Sequence, residues 1–252
     1  MSSTRTRSLV LVSTMLACGA CLSPEEGARV PKSTLVVGID VSGSFRQHYD
    51  DAIDFGAHYL YGHINGLGEL RTPSAVFVGS VGGDQPGEAK SFQPIHAFRD
   101  KTVDEIAEFL RELYPPEDSF TDFNVFFDRV GTVIKRQGLI LAPLEVVLLS
   151  DGVNDVRRTG AKSDDTYRQI DVGPLEYLSR NVTVRLLYAS PSVSVNWERR
   201  VPRKRVRMWT VDAPVMSGWQ EQVDPNMSID GRQGLWTWIG DNVDFRVRSR
   251  RL

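Results

Sequence analysis

Beyond residue 21 this chain has no cysteine; its two thiols are Cys18 and Cys21. That excludes internal disulfides and thiolate metal sites from the remainder of the protein. Charge of one sign is missing too. With 30 Lys and Arg against 32 Asp and Glu, the net charge of −2 gives no overall field toward nucleic acid, and no nucleic-acid partner is expected. Histidine is scarce, and His48, His58, His63 and His96 form no His-Glu-x-x-His pair. Ser42 lacks the Gly-x-Ser-x-Gly setting of a nucleophile elbow, and no glycine-rich loop ends in Lys followed by Ser or Thr. The expectation is therefore a protein that is not an enzyme.

What is present suits a soluble globular fold, since 252 residues with 41% hydrophobic and 25% charged content can bury a full core. Residues 1–21 read as a targeting segment: Arg5 and Arg7 precede an apolar stretch, Leu9 to Ala17, too short to span a bilayer. Its end, Met15-Leu16-Ala17-Cys18, resembles a bacterial lipoprotein processing site. That resemblance implies lipid on Cys18, with Cys21 as the alternative, and membrane attachment through the lipid. Gly19 after the cysteine implies the outer membrane of the cell envelope rather than the inner one. The competing reading is a plain secretory signal with incidental cysteines. Residues 22–33, with Pro24, Gly27 and Pro31, read as a tether.

The fold is expected to start at Thr34, where Leu35, Val36, Val37 and Ile39 make a strand buried on both faces. Asp40 is the first residue off that strand, followed by Ser42 and Ser44. Open α/β sheets bind ligands beyond the carboxyl ends of their strands, and an Asp with two hydroxyls there suits a hard divalent cation. The alternative is a helix N-cap without metal. Helical spacing then runs from Tyr49 to Ile64 and stops at Asn65-Gly66. A strand follows over Ala75 to Val81, and an edge strand over Ser91 to Phe98, where Pro94 cannot donate to a ladder. Thr102 and Glu105 are spaced as a capping box, and Thr121-Asp122 opens the next helix, with a cap as the plain role for Thr121. Leu144 to Leu149 is a second buried strand, ending in Ser150-Asp151-Gly152. Asn154 and Asp155 read as turn formers. A short helix over Pro174 to Arg180 and strands over Val182 to Tyr188 and Val206 to Val211 complete the alternation, which calls for a doubly wound α/β fold: a mostly parallel central sheet with helices on both faces.

Asp-x-Ser-x-Ser, then Thr, then Asp-Gly after a second apolar strand resembles the von Willebrand factor type A domain. The resemblance covers roughly residues 34–190. It implies a metal-ion-dependent adhesion site at Asp40, Ser42, Ser44, Thr121 and Asp151, holding Mg2+, or Mn2+ or Ca2+, with Asp40, Ser42 and Ser44 as direct ligands and Thr121 and Asp151 direct or through water. Family members often carry small residues before the Thr, where this chain has Ser119 and Phe120. A cation with so few carboxylates keeps a position for a hard anionic oxygen, so the expected partner is a protein offering an Asp or Glu carboxylate. The expected function is a metal-dependent interaction module tethered to the bacterial cell envelope. The alternatives are a metal-dependent hydrolase and an envelope scaffold without an occupied site.

The last quarter differs in composition. Trp197, Trp209, Trp219, Trp236 and Trp238 all fall there, with a basic run from Arg199 to Arg207. Residues 34–212 are expected to form the domain and 213–252 a tryptophan-rich extension packed on it. The basic run allows contact with nucleic acid, contact with lipid headgroups, or a solvated face over a tryptophan-rich patch; neighbouring acids such as Glu198 and Asp212 favour the last.

Overall fold

Among the described residues, eight short strands and the helices between them follow the alternation that the apolar runs call for. A computed structural model describes residues 33–83, 91–117, 120–154 and 166–245. The targeting segment with Cys18 and Cys21, the tether up to residue 32, and Asp155 lie outside the described residues. The chain divides into Met1–Val30 and a compact unit, Pro31–Leu252, that carries every element below.

The elements in order are β1 (Thr34–Ile39), α1 (Arg46–Asn65), β2 (Ala75–Ser80), β3 (Gly82–Gly83), β4 (Gln93–Pro94), α2 (Val103–Leu113), β5 (Phe120–Thr121), α3 (Phe123–Arg136) and β6 (Leu144–Leu149). They continue with α4 (Gly173–Glu176), β7 (Val182–Ala189), α5 (Pro191–Arg200), β8 (Arg207–Asp212), α6 (Ala213–Met216) and α7 (Gln233–Asn242), with short 3-10 turns between some of them. Six strands form one sheet in the order β4-β2-β1-β6-β7-β8, and all neighbours are parallel except the two-residue pairing of β4 with β2. β3 and β5 form a separate antiparallel pair in which Gly82 opposes Thr121.

Alternation along β1 shows why the sheet is covered twice. Leu35, Val37 and Ile39 join a core with α1, α2 and α7, while Val36 joins a second core with α3, α4 and α5. Every β1 side chain is buried, as the continuous apolar run requires. Gly38 is the exception in size: a Cβ there would meet Phe126 Cζ at 2.6 Å, so its absence lets α3 lie close on the sheet. α1 ends at Gly66, at φ 63°, whose N–H reaches the carbonyls of Gly62 and His63. α2 begins with the Thr102–Glu105 capping box in both directions. Beyond residue 212, Trp219, Leu235, Trp236 and Ile239 are buried in the α1 core.

Two expectations are corrected. The strand over Ser91 to Phe98 shrinks to Gln93–Pro94, still at the sheet edge, because the chain turns into a 3-10 helix at Ile95–Ala97 as soon as Pro94 withholds its N–H. The helix over Pro174 to Arg180 ends at Glu176, whose buried carboxylate bonds outward to another loop.

Candidate metal centre

Asp40 is held by the sheet before its side chain does anything. Its N–H continues the β1–β6 ladder to the Leu149 carbonyl at 2.9 Å, so it stands beside the end of β6, and its side chain is fully buried. Three groups converge on it. Asp40 Oδ1 accepts from the Ser42 N–H at 3.0 Å and the Thr121 hydroxyl at 3.3 Å; Oδ2 accepts from the Ser150 hydroxyl at 2.5 Å. Ser42 Oγ lies 3.2 Å from Ser44 Oγ. Asp151 sits next to Ser150, half-buried, with Oδ1 accepting the Val153 N–H at 2.9 Å. The structure thus gathers Asp40, Ser42, Ser44, Thr121 and the Asp151 loop at the carboxyl ends of β1 and β6.

The helix-cap alternatives fail on position. The N-cap residue of α1 is Phe45, and no side chain caps it, so neither Ser42 nor Ser44 is spent on helix N–H groups. At α3 the cap is Asp122, which accepts from Asn124 and Val125, each at 3.1 Å. That leaves Thr121, one residue earlier, buried with its hydroxyl on Asp40. The close approach of this loop is made possible from the opposite strand: a Cβ on Gly82 would meet the Phe120 carbonyl oxygen at 2.4 Å. Ser119 lies outside the described residues, and Phe120 is accommodated because its partner is a glycine.

Electrostatics single out Asp40. Burial pushes its carboxyl up to about 6, against hydrogen bonds from Ser150 and Ser42 that pull it down, and the nearby charge of Asp151 pushes the same way as burial. No Lys, Arg or His is paired with it among the described residues. A buried carboxylate served only by hydroxyls and an N–H lacks its counter-charge, and a divalent cation would supply one. The donor set fits such an ion: two carboxylates and three hydroxyls are hard oxygens, and no group of three His, Cys, Asp or Glu gathers anywhere among the described residues to suggest a softer metal.

Two supporting residues were not singled out from the sequence. Ser150 orients Asp40 and also accepts the Gly152 N–H at 3.0 Å; its signal was a hydroxyl residue directly ahead of a strand-end Asp. Trp197 is fully buried and donates Nε1 to the Gly152 carbonyl at 2.8 Å, which fixes the Asp151 loop from α5. Nothing local predicts that contact across 45 residues. Gly152 has φ 75°, and a Cβ there would fall 2.6 Å from Leu186 and 2.8 Å from Trp197 Nε1. Gly152→Ala is therefore expected to cost about 3 kcal/mol, combining left-handed strain with overpacking. Urea unfolding checks the loss, and wild-type stability in the variant would show that the loop is not fixed this way.

No protein-family model matches the sequence, and no curated protein matches it. Among solved structures, the chain is similar to the VWA domain of SpRpn10, at 8% identity and a TM-score of 0.46, over 77% of this chain and 96% of that one. It is similar to proximal thread matrix protein 1 from the mussel byssus, with its MIDAS motif occupied by zinc, at 14% identity and a TM-score of 0.42, over 76% of this chain and 44% of that one. A third similarity is to the pilus adhesin SpaC from Lactobacillus rhamnosus GG, at 21% identity and a TM-score of 0.33, over 50% of this chain; the matched part spans 15% of that adhesin's length.

Proposed function

We propose that this chain is a metal-dependent protein-interaction module of the von Willebrand factor type A kind. The carrying observation is the fully buried Asp40 carboxylate, ringed by hydroxyls and without a cationic side chain among the described residues. In this reading Asp40, Ser42, Ser44, Thr121 and Asp151 hold Mg2+ or Mn2+. The cation supplies a Lewis-acidic position open to a hard oxygen, and an Asp or Glu of a protein partner is its match. The residues around Asp40 bind and orient: Ser150 fixes one carboxylate oxygen, and Thr121 joins the α3 loop to the other. We read the site as a binding centre rather than a catalytic one: among the described residues neither histidine nor lysine is bonded to its hydroxyls as a general base, and the Asp40 carboxylate that accepts from Thr121 is the one that would hold the cation. The lipoprotein-like segment supports placing the module on the bacterial cell envelope, anchored through Cys18.

Calorimetric titration of Mg2+ and Mn2+ tests the centre. One site is expected, lost in Asp40→Ala and weakened at least tenfold in Ser42→Ala, with Thr121→Val reducing partner capture more than cation affinity. A chain that takes up no cation, or takes it up unchanged in Asp40→Ala, refutes the centre. Capture of a partner equally well in EDTA refutes the mode of binding alone.

A further inference from the structure

The pole of the sheet opposite the metal centre carries its own pattern. β1, β6, β7 and β8 are parallel, so all four begin there, with Leu35, Glu145, Thr183 and Arg207 in register across them. Of the four loops that lead into this pole, residues 66–74 ahead of β2 carry the exposed Glu69, whereas the three ahead of β6, β7 and β8, residues 137–143, 177–181 and 201–206, contain no Asp or Glu. Those three form one face. They expose Ile140 at 47%, Leu141 at 74% and Tyr177 at 72%, whereas most large apolar side chains of the described residues are buried. Arg180, Lys204, Arg205 and Arg207 are exposed around them, with Lys135 and Arg136 at the end of α3.

These side chains are presented on a stitched surface. The Leu141 N–H bonds the Leu178 carbonyl at 2.6 Å and holds Leu141 at φ 76°, with its side chain outward. Leu144 N–H bonds the Asn181 carbonyl at 2.9 Å. The buried Glu176 carboxylate accepts the N–H groups of Lys204 and Arg205, each at 2.6 Å, which ties the basic loop to the residue beside Tyr177. The nearest acid on α5, Glu198, accepts the Thr210 hydroxyl at 2.9 Å. The chain also enters the domain here, because the Thr34 N–H bonds the Pro143 carbonyl at 2.8 Å. Exposed aliphatic groups and an interface-type tyrosine flanked by cations complement one kind of surface: acyl chains lying beneath phosphate headgroups.

We propose that this pole contacts an anionic phospholipid bilayer, with Ile140, Leu141 and Tyr177 entering the headgroup layer and Arg180, Lys204 and Arg205 meeting its phosphates. The face needs neither the cation nor lipid on Cys18. It would turn the metal centre at the opposite pole away from the membrane, toward a partner. No helix among the described residues is long and apolar enough to cross a bilayer, so the contact is superficial.

The test is vesicle co-sedimentation of a chain beginning at residue 22, which retains the whole compact unit and lacks both cysteines. Vesicles of phosphatidylglycerol in phosphatidylcholine should bind it, and pure phosphatidylcholine should not. Lys204→Glu with Arg205→Glu should weaken binding at least tenfold, since each cation near an anionic surface accounts for roughly fivefold. Ile140→Ser with Leu141→Asn and Tyr177→Ser should weaken it comparably while leaving calorimetric cation uptake intact. Equal binding to neutral vesicles, no binding, indifference to both sets of substitutions, or tighter binding to duplex nucleic acid than to vesicles would each overturn the proposal. Because cation uptake is read separately, failure here leaves the metal centre standing, and the converse holds.

Discussion

In EDTA, Asp40→Asn is expected to melt higher than the parent chain, and to gain nothing when Mg2+ is added. The side chain it replaces is a fully buried carboxylate pushed up to about 6 by that burial. An asparagine can keep the same contacts: its oxygen accepts from Ser42 N–H and Thr121, and its amide donates to Ser150 Oγ, which already accepts from Gly152. Only the uncompensated charge is removed, for a gain of about 2 kcal/mol. In a domain of this size that is about 4 to 8 °C in Tm. The parent should behave in the opposite way: cation at a hundred times its Kd stabilises a folded-state-only site by about 2.7 kcal/mol. Thermal unfolding in EDTA and in saturating Mg2+ reads both effects. A variant less stable than the parent in EDTA would mean that Asp40 is a structural carboxylate already compensated, with no missing counter-charge for a cation to supply.

How much of this was legible in the sequence depended on the range of the interaction. Asp40 and Asp151 could be placed because Asp40 directly follows an apolar run and Asp151 follows one after Ser150, and such a run leaves the polar residues just beyond it at the carboxyl end of a buried strand. The C-terminal stop of α1 at Asn65-Gly66 and the Thr102–Glu105 capping box of α2 were legible because each is a pattern of neighbouring residues. Thr121 was ambiguous, since Thr and Asp both cap helices, and only the tertiary position of Phe120–Thr121 opposite Gly82–Gly83 makes Asp122 the cap. The contacts that hold the site and the far pole are long-range: Trp197 to Gly152, and Glu176 to Lys204 and Arg205. Each is a polar group whose partner lies on another element, and periodicity carries no information about it. The same limit explains the basic run. Read along the chain, its neighbours Glu198 and Asp212 dilute it, yet Glu198 is bonded to Thr210 and Ser194 to Asp212, on the α5 and β8 side.

The stability of this chain is expected to fall as pH rises above about 6.5, through one buried pair that latches the C-terminal extension to α1. His63, near the end of α1, places Nδ1 2.9 Å from the Arg71 carbonyl and Nε2 2.9 Å from Asp244 Oδ2. Both partners are acceptors, so both ring nitrogens should carry protons. Tyr59, one turn earlier, donates to Asp244 Oδ1 at 2.8 Å. Burial disfavours the charged form of each member, lowering His63 and raising Asp244, but their mutual attraction wins and leaves His63 raised and Asp244 lowered. Glu145 on β6 favours the charged His63, and Arg185 on β7 favours the charged Asp244. The signs then follow. A raised histidine stabilises fully below its unfolded value near 6.5, and that contribution is lost as pH climbs through the higher folded value. A depressed Asp244 contributes above its unfolded value near 3.8, and loses that contribution as pH falls through the lower folded one. Asp244→Ala should therefore cost about 3 kcal/mol near neutral pH, by leaving His63 buried without its partner. His63→Gln should flatten the alkaline limb, so the difference in urea midpoint between parent and His63→Gln should shrink from about pH 6 to about pH 9. A difference that stays constant over that range would show that His63 titrates alike in the folded and unfolded chain, and one that grows would show that His63 is neutral in the fold. In that case Asp244 would be held by Tyr59 and Arg185 without it, and Asp244→Ala rather than His63→Gln would carry whatever latch the extension has on α1.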